Sequence, residues 1–216
     1  MNRISSLKPN AFAYCSMLSE VSLPECTTVG TGAFLNCYQL TTVNLPACTE
    51  IPAPPSGTTV GVFASCSALS YVNLSACSFI GNYAFAGCSL LTAVNMPACQ
   101  VIDARAFRNC SALAEVSLPA CTKVSDYAFN NCKELSRAYL GPNLLALKVG
   151  AFSGCTALSS ITVAANTCQL ESSAVFYGTG ITSTQGSIFV PAEHVDDYKA
   201  LYGWSYFQSR IFAIPE

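Results

Sequence analysis

The apolar positions of the chain recur with a period of 22 residues. Seven phenylalanines mark the period, and their separations are 22, 29, 22, 22, 22 and 23 residues. Each unit reads A-F-x-x-C-x-x-L-x-x-V-x-L-P-x-C-x-x-I-x-x-x, most completely over 106–124. A repeat of this length is typical of a solenoid, in which each coil buries its apolar side chains against its neighbours. The seven marker residues are Phe12, Phe34, Phe63, Phe85, Phe107, Phe129 and Phe152.

The L-x-x-V-x-L part of each unit predicts a short strand. Apolar and polar residues alternate over its last three positions, as in Val21-Ser22-Leu23, and the proline or serine that follows ends the strand. A unit of 22 residues has no room for a long helix, so the return path should be extended, turn or short 3₁₀ structure. The predicted fold is a right-handed coil of seven units. Its strands should pair in parallel, about 4.8 Å apart, as a sheet on the concave face.

One coil is longer than the others and carries an insertion near residues 52–58. The segment Pro52-Ala53-Pro54-Pro55-Ser56-Gly57 is rich in turn-forming residues and cannot belong to a strand. We therefore expect a loop that bulges from one coil. Because loops on rigid scaffolds often carry recognition, this loop is a candidate binding element.

The two ends of the solenoid differ. Residues 1–180 are predicted to form the solenoid, which ends in a degenerate copy of the unit at Phe176. Residues 181–216 are predicted to form a C-terminal cap of the same domain, with a last strand over 187–191 and a short helix within 192–202. The N-terminus begins in mid-coil, with Ile4 and Leu7 at core positions. We therefore hypothesise that the protein continues upstream or that another copy covers this edge. The residues expected to close the core behind the helix are Trp204, Phe207, Ile211 and Phe212.

In each unit, the run Cys-x-x-Leu-x-x-Val-x-Leu is followed by a later Ile or Val and then by Ala-Phe. This order resembles the BspA-like leucine-rich repeats of bacterial surface proteins. The resemblance covers about residues 4–180 and extends to the C-terminal segment. It implies a leucine-rich repeat solenoid that is secreted or attached to the cell surface, and in some members acts as an adhesin. The second cysteine of each unit departs from the pattern expected of the family. The resemblance brings no catalytic motif to this chain.

Composition narrows the choice of partners. Charged residues make up 10% of the chain and the net charge is −2, so the clustered lysines and arginines of a nucleic-acid-binding surface are missing. No apolar run approaches the roughly 18 residues that span a membrane. Residues 1–7 hold no leader peptide, which leaves a cytoplasmic protein or one whose leader is not in this sequence. The family resemblance favours an extracellular or cell-surface protein.

Thirteen cysteines form two series that are mostly 11 residues apart. No C-x-x-C pair is present, which argues against a zinc or cluster site. Stacked coils hold equivalent cysteines with parallel Cβ directions, which keeps their sulfurs apart and disfavours disulfides. We therefore predict two ladders of buried thiols. The first series is Cys15, Cys37, Cys66, Cys88, Cys110, Cys132 and Cys155; the second is Cys26, Cys48, Cys77, Cys99 and Cys121, with Cys168 loosely placed.

The sequence offers little for catalysis. The single histidine, His194, opens the predicted capping helix, and Cys168 is the nearest candidate nucleophile for it. Asp196 and Asp197 are adjacent and so diverge on a helix, which disfavours them as an acid and base pair. Nucleophile-elbow, phosphate-loop and dinucleotide motifs are missing. We predict no enzyme activity and no cofactor, and a hydrolase is the most distant interpretation.

The outward positions of the predicted strands form the candidate binding surface. Exposed tyrosine and arginine are the residue types that most often anchor interfaces, so Tyr71, Arg137 and Tyr139 are the main candidates. The alternative is ordinary cross-strand packing on a solvated sheet. We predict a non-catalytic module that binds a protein or a glycan, and a structural spacer that holds another domain away from the cell is the competing interpretation. The other candidate residues are Asn44, Asn73, Asn95, Glu20 and Glu115.

Overall fold

A computed structural model describes residues 4–183 and 186–216, and it shows a solenoid whose coils carry short parallel strands on two faces. The front face contains the predicted L-x-x-V-x-L strands. Equivalent motif residues pair directly, as Val21 with Val43 and Val43 with Val72. The front strands are Glu20–Ser22, Thr42–Asn44, Tyr71–Asn73, Ala93–Asn95, Glu115–Leu118, Arg137–Leu140, Ser160–Val163, Ser187–Val190 and Ile211–Ala213.

A second sheet lies on the return path, where the sequence predicted only extended or turn structure. Its eight strands have two residues each, too few for any alternation to show in the sequence. They pair in parallel and in order along the solenoid. The second residue of each is an Ile, Val or Leu, and from Val29 onward it is buried in the core. The back strands are Ser6–Leu7, Thr28–Val29, Glu50–Ile51, Phe79–Ile80, Val101–Ile102, Lys123–Val124, Ala146–Leu147 and Gln169–Leu170.

The marker phenylalanines form one continuous stack through the core. Seven of them were predicted, and Phe176 of the degenerate copy extends the stack to eight. Ring centroids of neighbours lie 5.0–6.2 Å apart, and the ring planes differ by only 1–14°. From Phe34 to Phe176 the rings are fully buried. The periodic pattern therefore places its bulkiest side chain on the axis along which the coils are joined.

The front face is interrupted once. In the described part of the chain, no backbone hydrogen bond joins Ala93–Asn95 to Glu115–Leu118, so the front strands form a four-stranded and a five-stranded sheet. We call this interruption the seam. The back sheet continues across it, since Val101–Ile102 pairs with Lys123–Val124. Phe85 and Phe107 also stack across it at 5.1 Å. The coils on either side are thus joined by the core and the back sheet.

The insertion forms the predicted bulge and leaves the repeat intact. Most residues over 53–59 are exposed, and Thr58 N donates to Pro55 O within the loop. Glu50–Ile51 before the loop still pairs with Phe79–Ile80 of the next coil. The loop is therefore a local addition to one turn of the solenoid.

The thiols of the first cysteine series tie each coil to the coil before it. Cys66 Sγ donates to Phe34 O at 3.0 Å, and the same carbonyl accepts the backbone N–H of Cys37 in its own coil. A small apolar side chain with one weak donor is suited to this position, because it fills space and satisfies a buried carbonyl. The equivalent bonds are made by Cys37, Cys88, Cys110, Cys132 and Cys155.

The second cysteine series satisfies carbonyls within its own coil. Cys77 Sγ donates to Phe79 O at 3.2 Å, two residues further along the chain, and Cys121 Sγ donates to Lys123 O at 3.3 Å. Cys168, which the sequence placed only loosely, bonds instead to Gln169 O at 3.6 Å. All thirteen cysteines lie in the described ranges and are free thiols.

Native protein should expose one reactive thiol. Cys15 is half-buried in the first coil, whereas the other twelve cysteines are fully buried, and a thiol must be both reachable and ionised to react. We expect a thiol reagent at pH 8 to label about one cysteine per folded chain and all of them in urea. Mass spectrometry would count the labels, and Cys15→Ser should remove the native one. Rapid native labelling of several cysteines would contradict the buried ladders.

A column of left-handed residues runs beside the phenylalanine stack. The residue before each Ala-Phe pair has φ of 58° at Asn10, 64° at Gly32 and 62° at Gly150, where small or amide side chains suit this conformation. Tyr83, Arg105 and Tyr127 have φ of 57°, 57° and 55° in the same column. Each bulky residue there costs about 1–2 kcal/mol.

These three side chains stack on one another at the surface, and we call them the Tyr-Arg-Tyr stack. Arg105 Cζ lies 5.7 Å from the ring centroid of Tyr83 and 5.6 Å from that of Tyr127. An exposed cation–π contact contributes about 0.5–1 kcal/mol. Two such contacts do not offset the conformational cost of three bulky residues with positive φ, so packing alone does not explain the stack.

The C-terminal cap contains the predicted short helix and closes the core. Tyr198 OH donates to Ala165 O at 2.9 Å, and Trp204 Nε1 donates to Cys168 O at 2.7 Å. Phe207 packs edge-on against Phe176 at 5.4 Å. The cap helices are the α-helices Gly180–Ser183 and Val195–Ala200 and the 3₁₀ helices Ala192–His194 and Trp204–Arg210, and a further 3₁₀ helix, Ser173–Phe176, ends the last coil.

The prediction that Phe212 closes the core is wrong. Residues Ile211–Ala213 form a strand, and successive side chains of a strand point to opposite faces. Ile211 therefore faces the core, and Phe212 is 46% exposed on the front face. Its ring lies 6.3 Å from that of Phe189 on the paired strand.

The N-terminal edge of the solenoid has no such cap in the described ranges. Phe12, Cys15 and Leu18 are half-buried, whereas their equivalents Phe34 and Cys37 in the next coil are fully buried. Among the described residues, the first coil is thus less buried than the second.

Candidate binding surface

A ladder of amide side chains covers the N-terminal half of the front face. Asn73 Nδ2 donates to Asn44 Oδ1 at 2.8 Å, and Asn95 Nδ2 donates to Asn73 Oδ1 at 2.8 Å. Asn44 Nδ2 donates to Ser22 Oγ at 3.2 Å. The three asparagines predicted as binding residues are therefore brought together, and each uses one amide donor within the ladder, Asn73 and Asn95 on an asparagine and Asn44 on Ser22.

The C-terminal half of the front face carries charge and aromatic surface instead. Arg137 Nε donates to Glu115 Oε1 at 3.0 Å, and Arg137 Nη2 contacts the same oxygen. The two side chains are 69% and 58% exposed, and such an exposed pair adds little to stability. Tyr139 is 39% exposed beside it. These three residues are available to a ligand at little cost to the fold.

A groove of about 460 Å³ opens at the seam. Glu115, Arg137 and Tyr139 line it, and Val94 and Val116 contribute apolar surface from either side of the seam. Val94 is half-buried there, although the equivalent residues Val43 and Val72 are fully buried. The remaining lining residues are Ala93, Ser117, Ala138, Ser160 and Thr162.

Only some of the predicted binding residues meet in this groove. Glu115, Arg137 and Tyr139 do, whereas Tyr71 and Glu20 are exposed on earlier coils and are not among the lining residues. Sequence reasoning missed Val94, because it occupies the same motif position as the buried valines. The signal for it is the missing strand pairing, which only the structure shows.

The residues considered for catalysis make structural contacts. His194 Nδ1 lies 2.9 Å from Asp197 Oδ2 within the cap, while Cys168 Sγ bonds to the backbone. Across residues 4–183 and 186–216, no three His, Cys, Asp or Glu side chains converge as a metal-binding group.

Burial raises the pKa of thiols in both cysteine series, as Cys66 of the first and Cys121 of the second illustrate. Desolvation is the main cause, and it raises the pKa of Cys66 to about 12 and that of Cys121 to about 11. Backbone hydrogen bonds oppose the increase without cancelling it. Thiols in this state are poor nucleophiles at neutral pH.

Known structures with the same fold include two bacterial proteins. A leucine-rich repeat protein of T. pallidum is 27% identical, with a TM-score of 0.51 over 56% of this chain and 58% of that one. The pneumococcal vaccine antigen PcpA is 16% identical, with a TM-score of 0.54 over 98% of this chain and 58% of that one. This chain thus corresponds to 58% of the length of each.

No curated protein matches the chain significantly. None of the helices in the described ranges has the length and apolar character needed to cross a membrane. The family described as BspA type Leucine rich repeat region matches residues 1–54 and 78–190, in six copies. Two stretches have no match: 55–77, which begins inside the insertion loop, and 191–216 at the C-terminal end. With more than half of its residues matched and a leucine-rich repeat fold, the chain belongs to the BspA-type leucine-rich repeat family.

Proposed function

We propose that this protein is a non-catalytic binding module that holds a protein or glycan ligand in the groove at the seam. The observation that carries the proposal is the groove itself. The Glu115–Arg137 ion pair, Tyr139 and half-buried Val94 all line it. The groove therefore offers polar, aromatic and apolar contacts to a ligand within one site of about 460 Å³.

The arrangement around Tyr139 favours this half of the front face over the other. A tyrosine supplies a large, rigid contact area, and an arginine beside it supplies five donors. In the N-terminal half the amides of Asn73 and Asn95 already donate to neighbouring amides, which leaves each of them one N–H for a ligand. At the groove, the side-chain contact that a ligand would compete with is the exposed Glu115–Arg137 ion pair.

We also propose an extracellular or cell-surface, adhesin-like setting. Membership of the BspA-type family supports it, as does the similarity of fold to a pneumococcal vaccine antigen. The ligand would then be an extracellular protein or a surface glycan.

The groove should lose its ligand when its anchors are removed. We expect Arg137→Ala/Tyr139→Ala to weaken binding by about thirtyfold or more, as is usual for paired anchors. The probes are a glycan array and purified fibronectin, collagen and laminin, and affinities would be measured by surface plasmon resonance.

Tyr71→Ala is the matched control, since Tyr71 is 42% exposed on the same face but outside the groove. It should change affinity by less than about threefold. Equal losses in the two variants would remove the groove from the proposal. Failure of every probe to bind the unmodified protein would favour the spacer over the binder.

A further inference from the structure

We infer that the Tyr-Arg-Tyr stack is a second binding site, which takes a saccharide that carries a carboxylate or sulfate group. It lies on the turns beside the phenylalanine stack, away from the front face. The inference does not depend on the groove at the seam.

Two unpaired guanidinium groups define the site. Arg105 contacts the two tyrosine rings, and Arg108 lies one turn further along the same coil. Within residues 4–183 and 186–216 neither arginine forms an ion pair. A cavity of about 250 Å³ lies between them, lined by Arg105, Arg108, Tyr127 and Asn130. A guanidinium presents two parallel N–H donors, which match a carboxylate or sulfate group.

The stack holds Arg105 ready for a ligand. Its Cζ lies 5.7 Å and 5.6 Å from the centroids of the two rings, and these two contacts hold the guanidinium in place before any ligand arrives. The neighbouring coil leaves room for the arrangement, because a Cβ on Gly150 would lie 2.5 Å from Tyr127 Cε1. Bulky residues with positive φ whose conformational cost is not offset by packing are characteristic of functional sites.

The surroundings favour a saccharide over a peptide. The backbone N–H groups of Tyr83, Arg105 and Tyr127 already donate to the next coil, at 3.2, 3.0 and 2.9 Å. An extended peptide would therefore find no free strand edge to pair with. Tyr127 and Asn130 line the cavity, and the Asn130 Nδ2 group donates one hydrogen bond to Ser153 O at 2.9 Å. The Tyr127 hydroxyl, the second Asn130 N–H and the Asn130 Oδ1 offer the polar partners that sugar hydroxyls need.

The charge balance favours a ligand with isolated negative charges. Asp103 directly precedes the turn that holds both arginines, and Asp126 opens the equivalent turn of the next coil. The ridge therefore has no excess of positive charge that would attract a polyanion such as nucleic acid. One carboxylate or sulfate group per sugar meets the two guanidinium groups without strong repulsion from the aspartates.

The test compares Arg105→Asn with the unmodified protein. Asparagine occupies the same column at Asn10 with φ of 58°, so the variant should fold. Binding of sialyllactose, a hyaluronan tetrasaccharide and a sulfated heparan disaccharide would be measured by calorimetry at millimolar ligand. We expect at least one of them to bind, and Arg105→Asn to weaken that binding by about tenfold or more, because a charge-assisted hydrogen-bond pair is lost.

Two controls make the result specific. Arg210→Gln removes an arginine from the C-terminal cap, outside both the groove and the Tyr-Arg-Tyr stack, and should leave this binding unchanged. Uncharged lactose should bind far more weakly than sialyllactose. The inference is overturned if none of the three saccharides binds, if Arg105→Asn binds as well as the unmodified protein, or if a glutamate-rich peptide binds more tightly than the saccharides.

Discussion

Replacing Phe107 by alanine is expected to lower the free energy of unfolding by about 3–5 kcal/mol. The ring is fully buried and stacks on Phe85 and Phe129, each with centroids 5.1 Å away. The substitution therefore removes apolar contacts on both sides and leaves a cavity in the middle of the stack. Urea denaturation followed by circular dichroism would measure the loss.

The same variant should also unfold in two steps. Phe107 and Phe85 face one another across the seam, where the front strands are not hydrogen-bonded. In a solenoid each coil is stabilised by its neighbours alone, so a weakened interface uncouples the two halves. The single tryptophan, Trp204, lies in the C-terminal cap and reports on that half by fluorescence. We expect circular dichroism to change at lower urea than Trp204 fluorescence.

Phe129→Ala is the matched control for the uncoupling. Phe129 is equally buried and stacks at 5.1 Å and 5.3 Å, but the front strands on either side of it are paired. It should lose similar stability, with the two signals changing together. Coincident transitions in Phe107→Ala would show that the seam is not a weak point.

Repetition is the reason that so much of the core could be predicted. A residue type that recurs every 22 positions meets the same surroundings in every coil, so one inference about burial applies to all copies. The phenylalanine, cysteine and front-strand positions were predicted in this way. The recurrence at Phe107 and its equivalents carries more information than any single side chain.

Features that break the repeat could not be predicted from its period. Val94 has the same motif position as Val72, yet only Val94 is half-buried, because the difference comes from strand pairing at the seam. Phe212 lies in a strand too short to show which face is buried, and a shift of one residue reverses the facing of every side chain. Both depend on the relative placement of whole coils.

The Tyr-Arg-Tyr stack has a signal in the sequence as well. The position before Ala-Phe holds Asn10, Gly32 and Gly150 in other coils, and asparagine and glycine together indicate positive φ. Tyrosine and arginine are unusual at such a position, because their bulky side chains disfavour positive φ. The three residues therefore stand out from the repeat by residue type alone.

Raising the pH is expected to unfold the protein between about pH 10 and 11. Desolvation by burial raises the pKa of Cys48, Cys66 and Cys168 to about 12, and that of Cys77 and Cys121 to about 11, from an ordinary value of 9.0. The folded thiols keep their protons at a pH where the unfolded thiols lose them. The contribution of these protonated thiols to the free energy of unfolding is therefore complete below pH 9.0, and it is lost as the pH rises from there through 11–12.

The size of the effect follows from the number of thiols. Each one removes about 1.4 kcal/mol of stability per pH unit between the two pKa values. Five together remove about 7 kcal/mol per unit, and a domain of this kind has a total stability of about 5–15 kcal/mol. Urea denaturation at a series of pH values, with a reductant present, would measure the slope.

Removing thiols should make the protein less sensitive to alkali. The variant Cys48→Ala/Cys77→Ala/Cys121→Ala should be less stable at pH 7, because each substitution removes a buried sulfur and its hydrogen bond. Above pH 9 its free energy of unfolding should fall less steeply with pH than that of the unmodified protein, and the two slopes should differ by about 4 kcal/mol per pH unit. Tyrosine ionisation is common to both proteins and cancels in the comparison. Parallel slopes would mean that the buried thiols do not set the alkaline limit, whereas converging curves would identify the thiol ladders as its cause.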